Sequence, residues 1–317
     1  MLGYSFSLND KSENNLKELS TKQSLLFERR MCEIKEIASS FCDGVISLCS
    51  DGLSYGEALS VLSGSFTTAY NESHSEALVE SLSSVGKFLA TLSVMDKAIF
   101  VNFTVHRLVE LNKELSEKDF LDTGELTEQF VYVKNPLADE AYDVFSQEFK
   151  DPRVRYAQSF KDAIKTLVSG EVSYCLLPLE EKNGVRIGSV SQLIFSEDLK
   201  INSVTPVFGI DGAADMKYAL VSKSFTVPKV RAEDDRYLEI RLGADDSLFL
   251  SELMTVADFY QHSIYRINTV SFEEYGEARN YYTTVIHDEG RDFIRLLVYL
   301  ILFSKDSTPV GIYKNLE

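Results

Sequence analysis

The carboxylate best placed to do chemistry is Glu180, which closes the apolar run Val172 to Leu179 and is followed two residues later by Lys182. A short run of that kind suits a strand covered on both faces of a parallel sheet, and open α/β sheets bind ligands beyond the carboxyl ends of such strands. Glu180 is therefore a candidate binding or catalytic carboxylate, and an ion pair with Lys182 at a loop is its plainer role. The segment before it explains the strand's position. Ser159 is a helix N-cap, Phe160, Ile164, Leu167 and Val168 recur at helical spacing, and Gly170 stops the helix. Other constellations are absent. His74, His106, His262 and His287 are dispersed, with neither an HExxH nor a Cys-His arrangement. Cys32, Cys42, Cys49 and Cys175 have neither CxxC spacing nor disulfide density, which points to reduced thiols and no metal centre. No glycine pattern of the Walker or GxGxxG type occurs, so no cofactor is implied.

The chain has 317 residues and a formal net charge of −17. That length implies two or three domains. The charge repels nucleic acid and anionic lipid, and the aromatic residues alternate with acidic ones, so no nucleic acid or membrane partner is expected. No apolar run reaches membrane-spanning length and the N-terminus lacks a basic region followed by an apolar one, which places the protein in the cytoplasm.

Three units position these residues. Residues 1–118 read as an antiparallel helical bundle. Phe27, Met31, Ile34, Ala38, Phe41, Val45 and Leu48 alternate steps of four and three along one long helix, a stripe that serves either as internal core or as a contact with a second chain. Asp51-Gly52 ends it, a short helix carries Ala58 to Tyr70, and a third helix runs from near Ser75 to Val109. After a polar connection, residues 130–226 alternate strand and helix as a central α/β lobe with a parallel sheet. Residues 236–317 follow a βαββαβ order, the ferredoxin-like plan. The fold class is α+β and multidomain.

The run ending in Pro178-Leu179-Glu180 resembles prephenate dehydratase, whose equivalent segment ends in a Pro-Ile-Glu-Asn-Ser motif at the substrate cleft. Gly188-Ser189-Val190 matches a later Gly-Ser-Val of that family. A helical unit before such a lobe and a βαββαβ unit after it are similar to the layout of bifunctional chorismate mutase/prephenate dehydratase proteins with a C-terminal ACT domain. The resemblance implies a periplasmic-binding-protein-like lobe, truncated in this chain, and a cytoplasmic homodimer. It further implies a ligand that is an aromatic amino acid or a prephenate-like small molecule. It offers Lys217, Glu180 and Arg30 as catalytic candidates. Lys134, Gly188 and Ser189 would bind ligand in the lobe, and Ser247 and Leu248 in the ACT-like unit.

The chain departs from the family pattern where chemistry is done. The first turn is Lys134-Asn135-Pro136-Leu137-Ala138, without the glycines and threonine of Gly-Pro-x-Gly-Thr. Glu181 and Lys182 replace an asparagine and a serine. Little chain separates Val207 from the return strand at Tyr218, so the second lobe that closes the family's cleft is missing. Met216-Lys217-Tyr218 stands for Thr-Arg-Phe; methionine has no proton to give, and a lysine lacks the planar fork of arginine. In the C-terminal unit Ala244-Asp245-Asp246-Ser247-Leu248 replaces Pro-Gly-x-Leu, and Arg266 to Ser271 lacks Glu-Ser-Arg-Pro. In the helical unit no Lys or Arg lies between Lys35 and Lys87, leaving Arg29, Arg30, Lys35, Lys87, Lys97 and Arg107 for any cationic cage. The sequence therefore reads as a divergent, non-catalytic relative acting as an oligomeric binding or regulatory protein. The alternative is an active chorismate mutase or prephenate dehydratase with a rebuilt site.

Overall fold

Short polar side chains start several of the helices. In a computed structural model that describes residues 10–64, 85–181, 184–208, 214–228, 235–243, 247–274, 277–304 and 306–316, Ser54 forms a reciprocal capping box with Glu57. Ser93, Asn135 and Ser159 accept from the backbone N–H groups of Asp96, Ala138 and Asp162, which satisfies donors that a helix start leaves open. The N-terminal helices are α1 (Asp10–Ser50), α2 (Tyr55–Leu62), α3 (residues 85–91) and α4 (Val94–Leu111). The single helix expected from Ser75 to Val109 is thus interrupted at Leu92 and Ser93, because Ser93 is extended and caps a new helix. Its first part lies outside the described residues.

The apolar stripe of α1 divides in two. Ile34, Ala38, Phe41, Cys42 and Val45 are buried with Phe100, Val101, Val105 and Leu108 of α4, and Phe41 meets Phe100 edge-on at 5.4 Å. Leu19, Leu26 and Phe27, nearer the N-terminus, stay 58–67 % exposed. The helical layer does not stand apart from the rest of the chain. Its core continues into α8 (Ser247–Phe259) and α9 (Ile294–Phe303) through Leu253, Val256, Leu297 and Tyr299. Polar ties fix the same contact: Tyr260 donates to the Ala98 carbonyl at 2.9 Å, and Lys97 pairs with Glu252 at 2.7 Å. The 3₁₀ turn Glu117–Phe120 adds another, since Glu117 takes the buried Arg236 guanidinium and accepts from Phe293 N–H at 2.7 Å.

Among the described residues nine strands form one sheet: β1 (Gln129–Val133), β2 (Arg153–Ala157), β3 (Tyr174–Glu181), β4 (Lys200–Phe208), β5 (Ala214–Ser222), β6 (Asp235–Gly243), β7 (Ser263–Glu274), β8 (Glu277–Glu289) and β9 (Ser307–Lys314). Their order is β2-β1-β3-β5-β4-β9-β6-β8-β7. The lobe expected to hold a purely parallel sheet is mixed. β1, β2 and β3 are parallel, and β5 runs antiparallel to both β3 and β4. Helix α5 (Pro136–Ser146) covers one face, and α6 (Phe160–Val168) and α7 (Gly188–Ser196) cover the other, which is why β3 is apolar on both sides. Between β3 and β5 the chain contains only α7 and β4 among the described residues. The C-terminal strands lie in the order β9-β6-β8-β7, every pair antiparallel, as a βαββαβ chain requires.

The two sets of strands are not separate sheets, because β4 and β9 pair in parallel at Ile201 and Gly311. That contact demands glycine. A Cβ on Gly311 would run into the Ile201 carbonyl oxygen and stand 2.8 Å from Ile201 Cβ. Gly311→Ala is expected to cost about 1–3 kcal/mol by overpacking, measured as a lower urea midpoint. An unchanged midpoint would show that the junction is loose.

Candidate functional site

The carboxyl end of β3 is shaped by its proline. Pro178 cannot donate to a ladder, and β1 has already separated from β3 there, its pairs being Phe130 with Tyr174 and Val131 with Cys175. The register with β5 slips between Pro178 and Glu180, so that Glu180 faces Lys217 and Glu181 faces Met216. Glu180 is turned inward and is 6 % exposed.

Three cations surround it. Arg266 of β7 donates to Glu180 Oε2 at 2.9 Å and to the Gly184 carbonyl at 3.0 Å. Lys217 Nζ lies 3.9 Å from the same oxygen, and Arg186 Nε lies 3.9 Å from Oε1. Arg186 continues the chain of charges, pairing through Nη2 with Glu239 of β6, whose other oxygen accepts from the Tyr313 hydroxyl at 3.1 Å. Burial opposes the Arg186 charge, yet Glu239, Tyr313 and Glu180 outweigh it and hold its pKa above the ordinary value. Burial, with Glu239 beside it, pushes the Tyr313 phenol well up, so it serves as a neutral donor. Three cations thus share two carboxylates, and one positive charge is left over. Lys217 and Arg266 each keep 27 % of the side chain exposed while facing Glu180, so the network meets solvent on their side.

Of the residues singled out from sequence, Glu180 and Lys217 meet. Lys134 directly follows β1 and is exposed, with Nζ 4.7 Å above the Tyr156 ring. Its neighbour Asn135 caps α5 and accepts weakly from the Tyr218 hydroxyl at 3.4 Å. Gly188 and Ser189 open α7 as exposed residues. Leu248 is 85 % exposed on α8, and Ser247 begins that helix. Arg30 is engaged in the helical layer, 3.0 Å from Glu33 and 3.5 Å from Asp96. Of the remaining helical cations, Lys97 is held by Glu252 and Arg107 by Glu110, while Lys35 and Arg107 line one groove with Asn102. Lys182 and the turn 244–246 lie outside the described residues.

Arg186, Glu239, Arg266 and Tyr313 carry the site and are not evident in the sequence as functional. Glu239 and Arg241 alternate with Leu238, Ile240 and Leu242, the pattern of a strand with one face in water. That face is instead covered by α7, where Arg241 donates to the Phe195 carbonyl at 3.2 Å. Among the described residues no group of His, Cys, Asp and Glu side chains has the arrangement of a metal site. No helix there is long and apolar enough to cross a membrane.

Glu180→Gln would leave Arg266 and Arg186 without their shared carboxylate. Breaking a buried pair in this way costs about 3–5 kcal/mol, so urea unfolding should show a loss of that order. Adding Arg266→Met should recover part of it, and failure of the double variant to recover would mean that the two side chains do not depend on each other.

No protein-family model matches the chain, and no curated protein matches it. Solved structures do. A prephenate dehydratase from Streptococcus mutans aligns with TM-score 0.48 and 12% identity over 60% of this chain and 100% of that one. A prephenate dehydratase from Arthrobacter aurescens in complex with L-Phe aligns with TM-score 0.44 and 11% identity over 59% of this chain and 90% of that one. A protein described as a novel type of quorum-quenching acylase aligns with TM-score 0.43 and 15% identity over 60% of this chain and 96% of that one.

Proposed function

We propose that this protein is a non-catalytic, divergent member of the prephenate dehydratase group. It would bind an aromatic amino acid or a prephenate-like carboxylate and act as an oligomeric binding or regulatory protein. The observation that carries this reading is the employment of Glu180. Its carboxylate is buried and held by Arg266 and Arg186, so it joins two parts of the sheet and is not free to move a proton in a substrate. Methionine at 216 has no proton to give, and the surplus positive charge that Lys217 shares suits a ligand carboxylate. With only α7 and β4 between β3 and β5 among the described residues, the site is a shelf with poor exclusion of water. Purified protein incubated with prephenate is expected to form no phenylpyruvate above the uncatalysed rate, while prephenate or phenylalanine raises its melting temperature. Turnover abolished by Lys217→Ala would replace this reading with that of an active dehydratase.

Oligomerisation is assigned to the β7 edge. The opposite edge, β2, has five residues and is guarded by Arg153 and Arg155. β7 has twelve residues, and its charged Arg266 is turned inward while Tyr265 and Ile267 are 49 % and 38 % exposed. Residues 263–272 carry no charge besides Arg266, and long edges of that kind invite strand pairing, for which an antiparallel copy of β7 is the self-complementary partner. Light scattering should find a dimer that Ile267→Lys converts to monomer; a variant that stays dimeric would move the interface elsewhere.

A further inference from the structure

Helices α6 and α7 lie side by side on one face of the lobe and bury Ala163, Ile164 and Leu167 from one, and Val190, Ile194 and Phe195 from the other. A groove of about 490 Å³ remains between them, floored by Ile164, Val168 and Leu193. That volume lies in the range of small-molecule sites, roughly 300–1,000 Å³. Its rim is the unusual part. Lys161 and Lys165, one turn apart on α6, both line it, and Lys223 reaches the same helix end, donating to the Val168 carbonyl at 3.4 Å.

Neighbouring cations on this lobe are neutralised by carboxylates: Arg153 by Asp151 at 3.0 Å, Arg155 by Glu171 at 2.9 Å and Lys200 by Asp198 at 2.6 Å. Lys161 and Lys165 have no ion pair among the described residues, in a chain whose net charge is −17. Two unpaired ammonium groups above an apolar floor are complementary to a molecule with a negatively charged head and an apolar body. Glu197, at the α7 end of the groove, limits the anionic end to the α6 side.

We propose that the α6–α7 groove is a binding site for a small amphipathic carboxylate, its head between Lys161 and Lys165 and its body on Ile164, Val168 and Leu193. The site is separate from the Glu180 network and does not depend on whether that network is catalytic. Octanoate is the probe, with octanol and octylammonium as neutral and cationic controls of the same body. Because the chain contains no tryptophan, Ser169→Trp on the rim supplies a single fluorescence reporter, and calorimetry on the unchanged protein checks it. Octanoate should bind saturably, octanol at least tenfold more weakly and octylammonium not at all. A Lys161→Glu/Lys165→Glu variant should lose octanoate binding at least tenfold with an unchanged melting temperature. Should that variant fold poorly, Lys161→Met/Lys165→Met serves the same comparison. Equal binding of octanol and octanoate, equal binding by the folded variant, or no response to octanoate would overturn the proposal, as would capture of an acidic peptide in preference to octanoate.

Discussion

Arg186 is a buried cation between two buried carboxylates, and the arrangement of the whole sheet follows from keeping it there. Glu180 comes from the last turn of the lobe's central strand, Glu239 from the first strand of the C-terminal unit, and Arg266 from the far edge of the same sheet. Removing such charges from water is expensive unless each finds a partner with good geometry. Each strand must therefore hold its register for the others to remain neutralised. The bulge after Pro178, the glycine at 311 and the placement of α7 over β6 and β7 are the local devices that allow it.

A network of this kind has opposite consequences for stability and for chemistry. A carboxylate that accepts from one arginine and faces two further cations is committed to holding them together, which suits a joint. The same neutralisation leaves Lys217 as a cation with only a distant claim on Glu180, at 3.9 Å. At that exposed side the surplus positive charge is open to an anion.

Local order was legible in the sequence wherever one segment settles its own structure. Ser159 and the spacing from Phe160 to Val168 define α6, the apolar run to Leu179 defines β3, and the βαββαβ order of the last third follows from alternating periods. What could not be read is what distant segments do to each other. Glu239 and Arg241 have the spacing of a wet strand face, and only the arrival of α7 turns that face into an interior. The break at Ser93 was hidden because the apolar spacing runs through it unchanged, while the serine's capping bond outweighs the continued period. The first three strands of the lobe are parallel, as their βαβαβ order requires, and the sheet turns mixed only at β5, since an apolar run does not record strand direction.

The helical layer makes the same point at larger scale. Nothing in residues 94–111 announces that their partners are 155 to 193 residues away, yet Ala98 accepts from Tyr260, Lys97 pairs with Glu252, and Asn102 accepts from Arg295 at 2.9 Å. The layer therefore covers the outer helices of the C-terminal unit, and the inner face of that unit is covered by α7 of the lobe. A four-stranded sheet with two helices has one apolar face to spare. Here both faces are occupied, one by α8 and α9 with the helical layer behind them, the other by α7 and the charge network. With both faces closed, the long edge of β7 is the remaining surface on which that unit can meet another backbone, and this leaves Arg266, bound inward to Glu180, as the residue that connects the edge to the shelf.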